Sequence, residues 1–246
     1  MRQSMKQRGF TLMESVIAIA VVAVMLTTFL AVFGPASQGI NAALSVQEAD
    51  RLASTLEREL QSTRDGDGFD TSFEKAYAWI RGSASSGDAD TGGGVVLLYN
   101  YRGDPSDRRG DGSMQPFTEA GGVAGEDFIL QSAVRRKDDL AVPEDLDAAE
   151  GRIFAVQMTQ LVFDADGKLV LGEPGKIIDP NSPDGSDITD PDQYPEAVIA
   201  VRASFYTLPA NDWKNYVKDF KLELEANGNA KNIGAPLFTR NLGVRR

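Results

Sequence analysis

From Val16 to Phe33 the chain runs eighteen residues without a charge, and eleven of them are Val, Ile, Leu or Phe. On the insertion scale each of those eleven contributes roughly −0.3 to −0.6 kcal/mol, about −3 to −7 kcal/mol for the run. Counted from Phe10 the segment reaches 24 residues, enough to span a bilayer with some tilt. Arg2, Lys6 and Arg8 precede it with no acid among them, so the N-terminus is expected on the cytoplasmic side and the rest exported. A secretory signal peptide would end in small residues after 7–15 apolar positions. This run is longer, although "VFGPASQG" offers small residues near Ala36. A plain single-span anchor accounts for the length and leaves one residue unexplained: Glu14, near the start of the run. A carboxylate in apolar surroundings is costly and marks function or a specific partner; the bland alternative is a side chain that snorkels to the interface.

The residues around it, "GFTLME" at 9–14 behind a short basic leader, resemble the type IV prepilin signature, shared by type IV pilins and the pseudopilins of type II secretion. The resemblance covers residues 1 to about 60 closely. It implies cleavage by the prepilin peptidase between Gly9 and Phe10 on the cytoplasmic side, and methylation of the new Phe10 amine by the same enzyme. Gly9 suits close approach of a protease to the backbone. It also implies that Glu14 pairs with the Phe10 amine of a neighbouring subunit during assembly. Two unit charges about 4 Å apart attract by roughly 4 kcal/mol at an effective dielectric near 20. Removing the three leader cations leaves 22 Lys and Arg against 36 acids, a net charge of −14.

Beyond Phe33 comes "GPASQG". Pro35 cannot donate to the Ala31 carbonyl, at a cost of about 3 kcal/mol in a helix interior, and Gly34 and Gly39 weaken the helix further. The helix either ends here or passes through a soft segment. A helical stripe roughly 120° wide then carries Ala42, Val46, Ala49, Leu52, Ala53, Leu56 and Leu60. Asp50, Arg51, Glu57 and Arg58 lie off it, with Ile40 and Leu44 opposite. One helix from Phe10 to Arg64 would be about 80 Å long, half anchor (10–34) and half amphipathic spine (35–64).

From Asp65 onward, "RDGDGFD" and "GSASSGDADTGGG" read as loops, with "FEKAYAWI" as a short helix between them. Strands are expected at 95–101, 127–134, 152–163, 168–172 and 197–208, and in the closing "PLFTRNLGVRR", with "DADG" at 164–167 as a hairpin turn. In 197–208 the set Ala197, Ile199, Val201, Ala203 and Phe205 is the more apolar, as one buried face requires. "NDWKNYVKDFKLEL", at 211–224, reads as helix through Trp213, Val217 and Phe220, or as strand at its tail. Helix first and strands after argue an α+β fold, with an antiparallel sheet laid on the spine helix and a head over 65–246. "QYPEAVIAVRASFYTL" with the late "PLFTRNLGVRR" is similar to the head of J-type minor pseudopilins.

Composition excludes more than it selects. The 246 residues carry no cysteine and no histidine, with a net charge of −11. Ser-His and Cys-His nucleophile pairs are absent, and the acidic balance disfavours nucleic acid. A membrane-anchored carboxylate enzyme stays open. "DTG" at 90–92 lacks the apolar strand an aspartic protease runs into it, and "RGD" at 102–104 and 109–111 is short enough to arise by composition. The loop "DPNSPDGSDITDPDQYPE" places Asp179, Asp184, Asp187, Asp190, Asp192 and Glu196 within reach of calcium, which takes six to eight oxygens, without EF-hand spacing. The reading is therefore a structural subunit, most like a minor pseudopilin, held in the inner membrane by one span until it joins a filament with other pilin-like subunits. A fibre-forming pilin in adhesion or motility is the alternative.

Overall fold

The computed structural model describes residues 12–64, 68–84, 94–182, 185–208 and 234–246. Contacts divide the chain into two compact units, Met1–Gln47 and Glu48–Arg246.

Helix α1 runs Leu12–Leu60. Of the two readings at Pro35, a helix end is overturned: one missing backbone bond interrupts the ladder without stopping it. The stripe needs a second correction. Leu52, Ala53, Leu56 and Leu60 are buried, but Val46 is 43% exposed, because it falls in the first unit, outside the head's core. Asp50, Arg51 and Arg58 are exposed as their positions demand.

The rest of the second unit is α2 (Ser72–Gly82), β1 (Val96–Arg108), β2 (Met114–Pro116), β3 (Ile129–Arg136), α3 (Val142–Asp147), β4 (Ala149–Phe163), β5 (Leu169–Leu171), a 3-10 turn (Pro191–Gln193), β6 (Val198–Thr207) and β7 (Phe238–Arg245). The α+β class and the antiparallel head both hold. At the start of α2, the Thr71 hydroxyl accepts from the Glu74 N–H at 3.1 Å, and the Glu74 carboxylate accepts from the Asp70 N–H at 3.0 Å. This reciprocal cap fixes where the helix starts.

β1 lies between β3 and β4, and the sheet continues through β6 to β7, every pair antiparallel. β5 pairs with the end of β4 around the 164–167 turn, where Gly167 takes φ +76°, a conformation natural to glycine. The expected strands are present with shifted ends: β1 runs on to Arg108 and β4 starts at Ala149. The 211–224 segment, helix or strand by sequence, lies outside the described residues.

Ile199, Val201, Ala203 and Phe205 face a core shared with Leu52, Leu56, Tyr77 and Phe154. Ala197, the fifth member of that set, is exposed one residue before β6 begins. The expectation of a single buried face is corrected, since alternate residues Leu97, Tyr99, Tyr101, Ile153, Ala155 and Tyr206 form a second core on the reverse face with Val142 and Leu146 of α3. The six-residue α3 is too short to announce itself by periodicity.

Candidate functional site

In the first unit, Leu12–Phe33 is a 22-residue helical stretch, with none of it buried and an 18-residue window of mean hydropathy 2.8, long and apolar enough to cross a membrane. Its polar groups are handled locally. Thr27 and Thr28 donate their hydroxyls to the carbonyls four residues back, Ala23 at 2.5 Å and Val24 at 2.8 Å, so neither carries an unmet donor into an apolar solvent. Phe29 and Phe33 stack with ring centres 3.9 Å apart. Glu14 lies near the start of the described part of the helix and is exposed. Gly9 and Phe10 lie outside the described residues.

The head holds two buried ionic groups that sequence periodicity did not announce. Lys75 of α2 is 0% exposed and reaches Glu59 of α1 at 2.7 Å, with the Ser62 carbonyl at 3.1 Å. Its ammonium also lies 5.0 Å from the centre of the Trp79 ring. Glu59 pairs in turn with Arg64, which lies 3.7 Å from Asp111. The second group centres on Asp145 of α3, also 0% exposed. It accepts from Arg135 at 2.9 Å, from Arg109 at 2.6 Å and from the Tyr99 hydroxyl at 2.7 Å. Arg135 spreads its remaining N–H groups over Asp111, Asp139 and the Ser113 hydroxyl. Burial and the Asp145 carboxylate push the Tyr99 hydroxyl well above its usual range. The charges named here are paired with one another, and the second group clamps α3 and β3 together.

Asp111 gives this cluster a pH signature. Burial pushes its carboxyl up, but the Ser113 hydroxyl and N–H and the Arg135 guanidinium outweigh that and hold it at about 2. A carboxylate depressed in the folded state stabilises fully above its unfolded value of about 3.9, and loses that contribution as pH falls towards 2. With its side chain about a quarter exposed, the contribution is about 1–2 kcal/mol after screening. Unfolding free energies from urea titrations at pH 5, 4 and 3 should fall by about half of that amount more in the parent than in Asp111→Asn, the rest being lost below pH 3. Equal falls would show that Asp111 does not set the acid limb.

The remaining sequence candidates are placed as follows. Arg102 lies beside the stacked Phe117 and Phe128 rings, at 5.8 and 5.5 Å from their centres, and Asp104 caps the Ser106 N–H. In the second "RGD", Arg109 is held by Asp145 and Asp111 by Ser113. Both tripeptides are thus engaged within the fold. "DTG" lies outside the described residues. In the acidic loop, Asp187 grips Arg81 through both oxygens at 2.8 and 2.9 Å. Asp179 and Asp190 each accept a backbone N–H two residues on, Glu196 takes the Asn181 amide, and Asp184 is outside the described residues. Among the described residues no three carboxylates gather as a metal ion requires.

Residues 4–30 match the family model of the prokaryotic N-terminal methylation motif. The match spans most of the basic leader, Gly9, Phe10, Glu14 and most of the apolar run. No curated protein and no solved structure matches the chain. The motif supports the type IV pilin and pseudopilin family, whose members are structural subunits that assemble with one another after prepilin peptidase processing.

Proposed function

We propose that this chain is a structural subunit of a type II secretion pseudopilus or a related type IV filament, inserted in the inner membrane by its N-terminal helix with its head outside the cytoplasm. The observation that carries the reading is the methylation motif at 4–30 on an apolar 22-residue helical stretch of which no residue is buried in the single chain. Such a surface needs lipid before assembly and neighbouring helices after it. In this reading residues 1–9 are a leader, Gly9 and Phe10 flank the cleaved bond, the Phe10 amine is methylated, and Glu14 meets that amine on a neighbour. The resemblance of "QYPEAVIAVRASFYTL" and "PLFTRNLGVRR" to the head of J-type minor pseudopilins supports a minor subunit. The head acts through its surface in partner contacts and carries no catalysis.

Mass spectrometry of the membrane-extracted protein tests the first step. The mature chain should begin at Phe10 with one methyl group on its amine. A start near Ala36 would mean a signal peptide and overturn the reading. Abundance and long filaments seen by microscopy would favour the fibre-forming pilin over the pseudopilus subunit.

A further inference from the structure

Strand β5 leaves large apolar side chains in water. Among the described strands it alone is exposed at every residue. Leu169, Val170 and Leu171 are 44%, 37% and 50% exposed, and Phe163 beside them on β4 is 42% exposed. Among the described residues β5 pairs with β4 alone, so its outer edge is open. The Gly172 N–H donates to the Gln160 carbonyl and the Asp164 N–H to the Lys168 carbonyl, both at 2.9 Å. These two bonds fix the parity of the ladder: Val170 turns its backbone groups to β4, and Leu169 and Leu171 turn theirs outward. An unpaired apolar edge is a template for another strand.

This edge is short and closed at both ends. The 164–167 turn precedes it, and Gly172, Glu173 and Pro174 follow; Pro174 has no N–H to offer a further partner. What remains is one N–H and one C=O on each of Leu169 and Leu171, and that set is complementary to itself. Turned about a two-fold axis at Val170, a second β5 lies antiparallel. Leu169 of each copy then faces Leu171 of the other in a hydrogen-bonded pair, and Val170 faces Val170. The side chains of Phe163, Leu169 and Leu171 share one face of the ribbon, so two copies join theirs into a single apolar surface. Charge favours the same arrangement. Lys168 and Glu173, both exposed, bracket the strand, and Glu173 also holds Lys176 at 2.7 Å. Antiparallel pairing sets each Lys168 beside the other copy's Gly172 and Glu173, whereas parallel pairing sets lysine on lysine and glutamate on glutamate.

We infer that the head pairs with a second copy of this chain edge to edge through β5, in a four-stranded ribbon β4–β5–β5–β4 with its two-fold axis at Val170. The contact uses the same surface on both partners and closes on itself, so it makes a pair of heads and does not propagate. It goes beyond the filament reading and rests on it in one respect. A three-residue edge buries less than the about 1,000 Å2 of a free-standing interface. Holding two chains in one membrane raises their effective concentration, as linking them does, and lets a contact of this size form.

The chain has no cysteine, so a single introduced thiol reports the axis. Val170→Cys in the full-length chain, expressed in membranes, should give a disulfide-linked dimer on mild oxidation. Residues facing each other in a non-hydrogen-bonded pair have Cα atoms about 4.5 Å apart, within disulfide reach. Ala165→Cys, exposed in the turn, should stay monomeric, since it lies about ten strand positions from its copy, roughly 34 Å. Leu169→Lys with Leu171→Lys in the Val170→Cys chain sets like charges opposite one another and should cut the crosslink roughly tenfold. Leu169→Lys with Leu171→Glu removes the same apolar surface but sets opposite charges across the axis, and should restore most of the crosslink. Both positions are exposed, so neither change touches the core. A Val170→Cys yield no greater than that of Ala165→Cys, or equal yields from the two charged combinations, overturns the inference. Membrane fractionation and N-terminal mass spectrometry of the same samples keep the two readings apart. Membrane-held, processed chains that fail to crosslink overturn the β5 pairing alone, and crosslinked chains that are never processed overturn the filament reading alone.

Discussion

Asp145→Asn is expected to cost the head about 3–5 kcal/mol, the loss typical when one partner of a buried ion pair is removed. The substitution conserves shape and deletes charge. Asp145 is fully buried and accepts three hydrogen bonds, two from guanidinium groups and one from Tyr99. Asparagine has one carboxamide oxygen, and its amide N–H groups would then point at N–H and O–H donors, leaving at least one donor without an acceptor in the core. Arg135 keeps Asp111 and Asp139, and Arg109 keeps Glu144 at 2.9 Å, so the fold should persist with a lower melting temperature. For a unit of this size the drop should be roughly 10 °C, followed by circular dichroism of the full chain in detergent. Arg109→Ala should cost less, because Asp145 would still hold Arg135 and Tyr99. A loss below about 1 kcal/mol for Asp145→Asn would mean that the cluster is a solvated bystander and that apolar packing alone holds α3.

What was legible in the sequence follows the physics of each element. The apolar run was legible as a long helix because its apolar residues are consecutive and need no tertiary context. β6 was legible because Ile199, Val201, Ala203 and Phe205 alternate with more polar neighbours and do face the core. The reverse face was missed. Its burial depends on α3, six residues carrying Val142 and Leu146, too few for a helical period to show. The ionic groups were missed for a related reason. Lys75 and Glu59 are 16 residues apart, and Arg135 and Asp145 ten, separations at which charge in a sequence looks like ordinary solvated surface. Arg109 was even read within an "RGD" tripeptide, when its partner lies 36 residues on. Val46 shows the converse limit. Periodicity continued through it, but a stripe says which face is apolar and not how far along the helix a head covers it.

Glu14→Ala is the substitution with the largest expected effect on function. The variant should insert at least as well as the parent, since it makes the helix more apolar by removing a carboxylate that costs about 2.5–3.5 kcal/mol at mid-span and less near an end. It should still be cut after Gly9, because Gly9 and Phe10 are untouched. Assembly should fail. In the proposed contact, the Phe10 amine of one subunit enters an apolar bundle of helices and takes the Glu14 carboxylate of its neighbour as counter-charge. Without it the amine is buried unpaired, a loss of about 3–5 kcal/mol per contact, repeated at every subunit added. Glu14→Asp should be intermediate, with the charge kept and the reach shortened by one methylene. Glu14→Gln should resemble Ala, since it keeps the shape and not the charge. The readout is co-purification with the other pilin-like subunits after detergent extraction, with N-terminal mass spectrometry confirming that each variant was processed. The ordering Glu, Asp, then Gln with Ala separates pairing from bulk: a carboxylate that only snorkels to the interface would let all four co-purify alike. Equal recovery of Glu14→Ala and parent would remove Glu14 from assembly while leaving the membrane helix and the head as described.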